Sequence, residues 1–403
     1  MRFVGFLATI LLLTALAWLL VGAFVLDLVP GGWLTIAGAW AVSVVPLFVL
    51  IRNIATGRYP NAAVRLLMFR VFWYAQLLLL ALAFASVAGF VLGLPFRVPV
   101  AAGRYAVLIA APVLVLLALW GYVGTRRLVV RQVTLRPQKM PPALDGLRIA
   151  QLSDLHVGPQ TSRAQLAKIA KATQDTQPHI IAYTGDQVDD HPRDIDFFAS
   201  AFGHLTAPLG VYAIAGNHDV YAGWSAVRRG LEAMGVTVLV NRAVQLTHNG
   251  ASFWLAGTGD PAGAQFVRGQ ESGAPDIVRT LAQVPADAFC VTLAHNPALF
   301  PALAARGVPV TLSGHTHHGQ FSIPSHGWSL ASVFLEYAMG TYDRNGSLLY
   351  VSPGTNFWGI PFRIGALPEV TVISLTADRK PDQKADQKPD QRADQKSDPE
   401  AVP

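Results

Sequence analysis

The chain has 403 residues, 52% of them hydrophobic and only 14% charged, against about 25% charged in an ordinary soluble protein. Together with a mean hydropathy of +0.37, this excludes a disordered chain and an ordinary soluble enzyme. The balance of 31 Lys and Arg against 25 Asp and Glu leaves a net charge of +6, and much of the excess flanks apolar runs, which suits a membrane protein better than a nucleic-acid binder. A single cysteine, Cys290, excludes an intramolecular disulfide and a cysteine-built zinc site. Its neighbours Phe289 and Val291 mark it as a buried thiol.

Residues 3–26, 33–51, 71–96 and 105–125 contain no Asp, Glu, Lys or Arg. Each reaches the roughly 20 residues that a helix needs to cross a ~30 Å hydrocarbon core. The first run is too long for a signal-peptide core, and a second follows almost at once. Four spanning helices are therefore expected over residues 1–125, with Pro46 and Pro112 inside two of them. Arg52, Arg58, Arg65 and Arg70 lie between spans two and three, and Arg126, Arg127 and Arg131 follow span four. Arg97 and Arg104 in the third connection oppose this bias without reversing it. Positive-inside counting puts both termini and everything beyond residue 125 in the cytoplasm, making this a multi-pass protein of the cell membrane.

After a linker over 126–146 the texture changes. Apolar runs Leu147–Leu152, His179–Thr184, Val211–Ala215, Phe289–Ala294 and Val308–Leu312 alternate with expected helices at 161–175, 194–204, 223–234 and 297–305. Short apolar strands separated by helices indicate a layered α/β domain with a buried sheet, over 147–376. The remainder, 377–403, repeats an Asp-led tetrad from Asp378 and has nothing larger than Ala to bury before Val402. It reads as a disordered low-complexity tail.

Each of the five strands delivers polar residues at its C-terminal end. These are Ser153-Asp154-Leu155-His156, Gly185-Asp186-Gln187-Val188-Asp189, Gly216-Asn217-His218-Asp219, His295-Asn296-Pro297 and Ser313-Gly314-His315-Thr316-His317. In open α/β sheets that edge is where ligands bind. One Asp or His at a strand end is ordinarily a cap; five in order, rich in imidazole and carboxylate and free of thiolate, indicate a site for Mn, Fe or Zn. Asp154 and His156, like His315 and His317, are two residues apart and share a face of an extended end. Asp219 reads as a local cap, Asp260 in Gly259-Asp260-Pro261 as a turn residue, and the remaining histidines as surface or core residues.

The order D-x-H, G-D-x-x-D, G-N-H-D, a later His and G-H-x-H resembles the calcineurin-like metallophosphoesterase superfamily. The flanking residues 147–156, His295-Asn296-Pro297, residues 314–320, Pro361-Phe362-Arg363 and Pro368-Glu369 look like its membrane-associated bacterial branch. That branch includes enzymes similar to UDP-2,3-diacylglucosamine pyrophosphohydrolase. The resemblance implies a four-layer α-β-β-α sandwich and two divalent metal ions, Mn, Zn or Fe. Asp154, His156 and His317 would hold the first ion, Asn217, His295 and His315 the second, and Asp186 would bridge them. Two such ions share a hydroxide that attacks phosphorus in line. His218 would then protonate the leaving oxygen or stabilise charge on phosphorus, with Asp189 orienting it. Two departures stand out: His318 replaces the branch's usual Gly, and no Arg lies near Ser352-Pro353-Gly354. His318 could narrow the pocket, touch substrate or face solvent, and Arg363 is a candidate substitute for the missing phosphate contact.

The expected function is hydrolysis of a phosphodiester or pyrophosphate bond by a membrane-anchored enzyme. The bilayer is one partner, and a phosphate ester or pyrophosphate, lipid-linked or nucleotide-lipid in type, is the other. The alternatives are a nuclease or other phosphatase of the superfamily, or an inert membrane sensor. No nucleic-acid partner is expected, because the motif half lacks a basic run interleaved with aromatics. All seven ligand positions are filled, which argues against an inert sensor, and the spans carry no Asp, Glu, Lys, Arg or His that would mark an ion path.

Overall fold

The computed structural model describes residues 2–56, 61, 63–158, 160–264 and 273–377, and it divides into two compact units, Met1–Gly121 and Tyr122–Pro403. The expected tail, from residue 378 onward, and Arg58 lie outside the described residues.

The apolar segments of the first unit form α1 (Arg2–Val25), α2 (Gly32–Thr56), α3 (Arg70–Gly93) and α4 (Pro99–Gly124). Four stretches within and around them, Ala8–Leu28, Gly32–Val49, Leu66–Gly93 and Pro99–Gly124, are long and apolar enough to cross a bilayer. Pro46 and Pro112 sit inside α2 and α4. Helices meet where small residues let backbones approach: a Cβ on Gly89 or Gly93 would overlap Ala106 or Ala102. Ala17, Val21, Leu79, Ala83 and Val107 fill the centre, while Leu34, Phe84 and Leu92 point outward. Arg104 pairs with Asp27 and donates from Nε to the Phe24 carbonyl at 3.0 Å.

The second unit contains β1 (Val129–Leu135), β2 (Leu147–Leu152), β3 (Ile180–Tyr183), β4 (Val211–Ala213), β5 (Thr237–Val238), β6 (Arg242–His248), β7 (Ala251–Gly257), β8 (Cys290–Leu293), β9 (Val310–Ser313), β10 (Ser322–Ile323), β11 (Trp328–Ser329), β12 (Gly340–Arg344), β13 (Ser347–Val351) and β14 (Glu369–Leu375). They form two six-stranded sheets, ordered β1-β14-β2-β3-β4-β5 and β12-β13-β9-β8-β7-β6, and a small β10–β11 hairpin. Side chains alternate across each strand. Ile149, Ile180 and Ala182 therefore face Phe253, Leu255, Val291 and Leu312 of the other sheet. Ala150, Leu152, Ile181 and Tyr183 face α5 (Arg163–Asp175), α6 (Asp194–Phe202) and α7 (Asn217–Ala233). On the far side of the second sheet, Ala294 and Val308 meet Ile277 and Leu281 of α8 (Ile277–Leu281) and Leu303 of α9 (Phe300–Ala304). The four α-β-β-α layers are present.

Two expectations need correction. The segment 126–146, expected as a linker, contains β1, which pairs in parallel with β14 from Val129↔Glu369 to Leu135↔Leu375. Its central residues are half-exposed, so the apolar content that marks the inner strands is missing. The helix expected from 223 begins at Asn217 and breaks at Gly223, where φ is +111°. That break keeps Asn217 and His218 on a short, separately oriented first turn.

Candidate metal centre

The C-terminal ends of β2, β3, β4, β8 and β9 converge on one point. Nine of the expected site residues meet there: Asp154, His156, Asp186, Asp189, Asn217, His218, His295, His315 and His317. The loops carrying them bend sharply. Asp154, His156, Asp186, His315 and His317 all have φ between +40° and +73°, a left-handed conformation costing a non-glycine residue roughly 1–2 kcal/mol. Such strain persists only where surrounding structure imposes it, and it gathers at functional sites. Close backbone passages share the spot: a Cβ on Gly216 would strike the Asp186 carboxylate, and one on Gly314 would strike Ser153 and Asp154.

Besides a group of His156, Asp189 and His218, two ligand groups share Asp154 on the floor of the site. In one, ring and carboxylate atoms of Asp154, His156 and His317 cluster; in the other, those of Asp154, Asp186 and His295. His156 Nε2 lies 3.0 Å from His317 Nε2, and His317 Nε2 lies 3.4 Å from Asp154 Oδ1. Asp186 Oδ2 stands between the groups, 3.5 Å from His156 Nε2 and 3.2 Å from His295 Nε2. His295 donates from Nδ1 to the Thr184 carbonyl at 2.8 Å, which turns its Nε2 toward Asp186 and toward Asn217 Oδ1 at 3.2 Å. Asn217 Oδ1 is also 2.8 Å from His315 Nδ1.

The electrostatics are those of opposed charges in a dry pocket. Burial lowers the His295 imidazole and the Asp186 carboxylate more than reverses it, leaving it well above its usual range. The His315 ring is pushed down to about 4 by burial and by His295. Burial, His156 and Arg363 hold His317 well below its usual range, so it is a neutral donor.

Asp219 is buried and works harder than a helix cap. Its carboxylate accepts from the backbone N–H of Asp186 (2.8 Å), Gln187 (2.9 Å), Val188 (3.2 Å) and Gly216 (2.9 Å), locking the loop that presents Asp186. Burial and the nearby Asp186 charge push it up to about 7, against the N–H donors. Asp189 differs from the expectation too. His218 Nδ1 donates to the Asp189 main-chain carbonyl at 2.7 Å, with the carboxylate at 4.0 Å. The Asp189 carboxylate lies nearer His156 Nδ1, at 3.5 Å. Asp260, expected in a turn, is buried and accepts from Ala262 N at 2.8 Å.

Arg363, expected as a substrate contact, is fully buried. Its Nη1 donates to the carbonyls of His317 (3.1 Å), Pro353 (2.7 Å) and Ala366 (3.2 Å). Its Nη2 donates to the Asn356 carbonyl and lies 3.2 Å from His317 Nδ1. The guanidinium thus braces the loops behind His317, and its Nε is buried without a partner. His318 is half-buried: its Nδ1 is shielded from solvent, and burial with Arg363 and Arg131 pushes the ring down to about 4. Two aromatics that sequence reasoning passed over frame His218. Tyr221 lies edge-on at 5.5 Å between ring centroids, and Trp358 does so at 5.6 Å while stacking on His317 at 6.3 Å. Tyr221 follows His218 at helical i+3 spacing, the one cue the sequence held.

A family model described as calcineurin-like phosphoesterase matches residues 147–319. The chain is also 30% identical over 249 residues to the uncharacterized metallophosphoesterase YkuE of Bacillus subtilis, across 60% of this chain and 83% of that protein. This chain belongs to the calcineurin-like metallophosphoesterase family. It is likewise 32% identical over 256 residues to a transmembrane protein with metallophosphoesterase domain from Danio rerio, across 61% of this chain and 57% of that one. The metallophosphoesterase thus spans little more than half the length of that relative. The solved NAD nucleotidase of Haemophilus influenzae aligns at a TM-score of 0.37 and 17% identity, over 52% of this chain and 45% of that one. The residues of this metallophosphoesterase fit divalent cations. His295 Nε2, Asn217 Oδ1 and Asp186 Oδ2 face one another, and imidazole with carboxylate is the donor set that borderline divalent ions select.

Proposed function

We propose that this membrane metallophosphoesterase hydrolyses a phosphodiester or pyrophosphate bond of a membrane-linked substrate, using two divalent ions on the cytoplasmic side. Asp154, His156 and His317 would hold one ion and Asn217, His295 and His315 the other, with Asp186 placed to serve both. The observation that carries this reading is the position of Asp186 Oδ2, within 3.5 Å of His156 Nε2 and 3.2 Å of His295 Nε2. Bound there, the cations supply Lewis acidity to the phosphoryl oxygens and to a water.

The chain's own groups do the rest. Because His218 Nδ1–H is committed to the Asp189 carbonyl, proton exchange with the leaving oxygen falls to Nε2. Asp219 and the Gly216 passage fix Asp186 so that its carboxylate needs no reorganisation when charge develops. Tyr221 and Trp358 exclude water from one side of His218 and leave apolar faces for the leaving group.

The test is hydrolysis of bis-p-nitrophenyl phosphate and p-nitrophenyl phosphate by the full-length protein in detergent. The protein is first stripped by a chelator, then given Mn²⁺, Zn²⁺, Fe²⁺ or Mg²⁺ separately. The expected result is metal-restored turnover that favours the diester and is absent from Asp186→Asn. Metal-independent turnover, or equal turnover in that variant, would contradict the reading.

A further inference from the structure

We propose that residues 321–335, the β10–β11 hairpin and the turn after it, lie in the bilayer surface and set the opening of the metal centre at the membrane interface. This rests on the phosphoesterase reading of the centre, but its test uses no turnover.

The first observation is chemical. Residues 317–335 contain no Asp, Glu, Lys or Arg. Within them Ile323, Trp328, Leu330, Val333, Phe334 and Leu335 are exposed, Phe334 by 79%. Large side chains exposed together are uncommon on a soluble surface and mark a binding face. Aromatic and aliphatic side chains on an uncharged element suit burial at the headgroup–acyl boundary.

The second is continuity with the centre. The hairpin follows His317 directly. Gln320 Nε2 donates to the Trp358 carbonyl at 3.0 Å and Trp358 N donates to Gln320 Oε1 at 2.9 Å. Ser322 N donates to the Ile364 carbonyl at 2.8 Å, beside Arg363. The exposed face is thus fastened to Trp358, whose ring covers His317 and His218.

The third is the tether, which identifies the occupant as the bilayer. Gly124 ends the last span, and a Cβ there would strike the Arg363 carbonyl. The next residue, Thr125, accepts from Gln165 Nε2 at 3.0 Å, and Gln165 also donates to Asn356 at 2.8 Å. Only Thr125–Leu128 separate that helix from β1, a reach of about 14 Å. Residues 124 and 125, within the second unit, therefore pack against the shell of the metal centre, and the apolar face is tied to the same shell.

The test places a single fluorophore on the full-length protein in vesicles of phosphatidylethanolamine and phosphatidylglycerol, with or without doxyl-labelled phosphatidylcholine. Cys290 is buried, and burial pushes its thiol up to about 11, so an introduced cysteine takes the label. Phe334→Cys and Val333→Cys probe the face, and Asp287→Cys, ahead of β8 at the opposite end of the strands, is the control. Doxyl lipid should quench the two face probes several-fold more than the control. Equal quenching at all three would overturn the proposal. So would unquenched, blue-shifted emission with Phe334→Cys chains forming disulfide-linked pairs, which would assign the face to a second copy of the chain.

Discussion

Arg363 Nη2 lies 3.2 Å from His317 Nδ1, behind the ring whose Nε2 lies 3.0 Å from His156 Nε2. A fixed positive charge there opposes protonation of His317 and keeps the ring neutral. Arg363 therefore acts on the centre through His317. It is a positioning residue.

Arg363→Met should leave four carbonyl oxygens without a donor, at His317, Pro353, Ala366 and Asn356. Since each buried unsatisfied group costs about 1–3 kcal/mol, the loss should be at least ~3 kcal/mol, read as a lower thermal midpoint together with lower metal content. Arg363→Lys should not rescue either, because one ammonium cannot fork to these atoms. A raised KM with normal metal content and stability would instead make Arg363 a substrate contact.

Asp219→Ala should release the N–H groups of Asp186, Gln187, Val188 and Gly216. Metal affinity should fall about 10–100-fold, as expected when the support of a ligand is removed, and turnover should recover substantially at saturating metal. Equilibrium dialysis against the ion, alongside rate, checks this. Turnover lost at every metal concentration with affinity unchanged would place Asp219 in the chemistry.

His218→Ala and Asp186→Asn should both abolish turnover, and only the second should lower metal content. Metal analysis of purified variants separates them. Equal metal loss in both would contradict the division between the proton-handling ring and the joining carboxylate.

The centre was legible because ligands and strand ends coincide. β2 runs over Leu147–Leu152 as the apolar pattern indicates, and Asp154 and His156 follow it. What escaped depends on partners distant in sequence. β1 is recognisable as a strand only through β14, some 240 residues on. The role of Arg363 is set by carbonyls from two loops, the one after β9 and the β13–β14 connection, and no arginine in isolation announces burial. The β6–β7 and β12–β13 hairpins did carry a local signal: Asn249-Gly250 and Asn345-Gly346 have positive φ at both positions, as type I′ turns require. Trp358 had no such cue, since its place over His218 follows from its bonds to Gln320.

His179 Nδ1 accepts from Arg148 N at 3.0 Å, which needs the neutral ring. Burial, His248 and Arg148 lower its pKa in the folded chain. The unfolded value is about 6.5, so the stabilisation is present above that pH and is lost as pH falls through the lower, folded value. The thermal midpoint should drop between about pH 7.5 and pH 5, and should drop less in His179→Asn, whose Oδ1 accepts without titrating. Equal drops would contradict this role.

The central claim is a pair of ions joined by Asp186, and titration of the stripped full-length protein with Mn²⁺, following bound ion and diester hydrolysis together, tests it most directly. The account expects two ions per chain, turnover that rises with the second, and neither full occupancy nor turnover in Asp186→Asn. Full turnover at one ion per chain, or an unchanged titration in that variant, would contradict it.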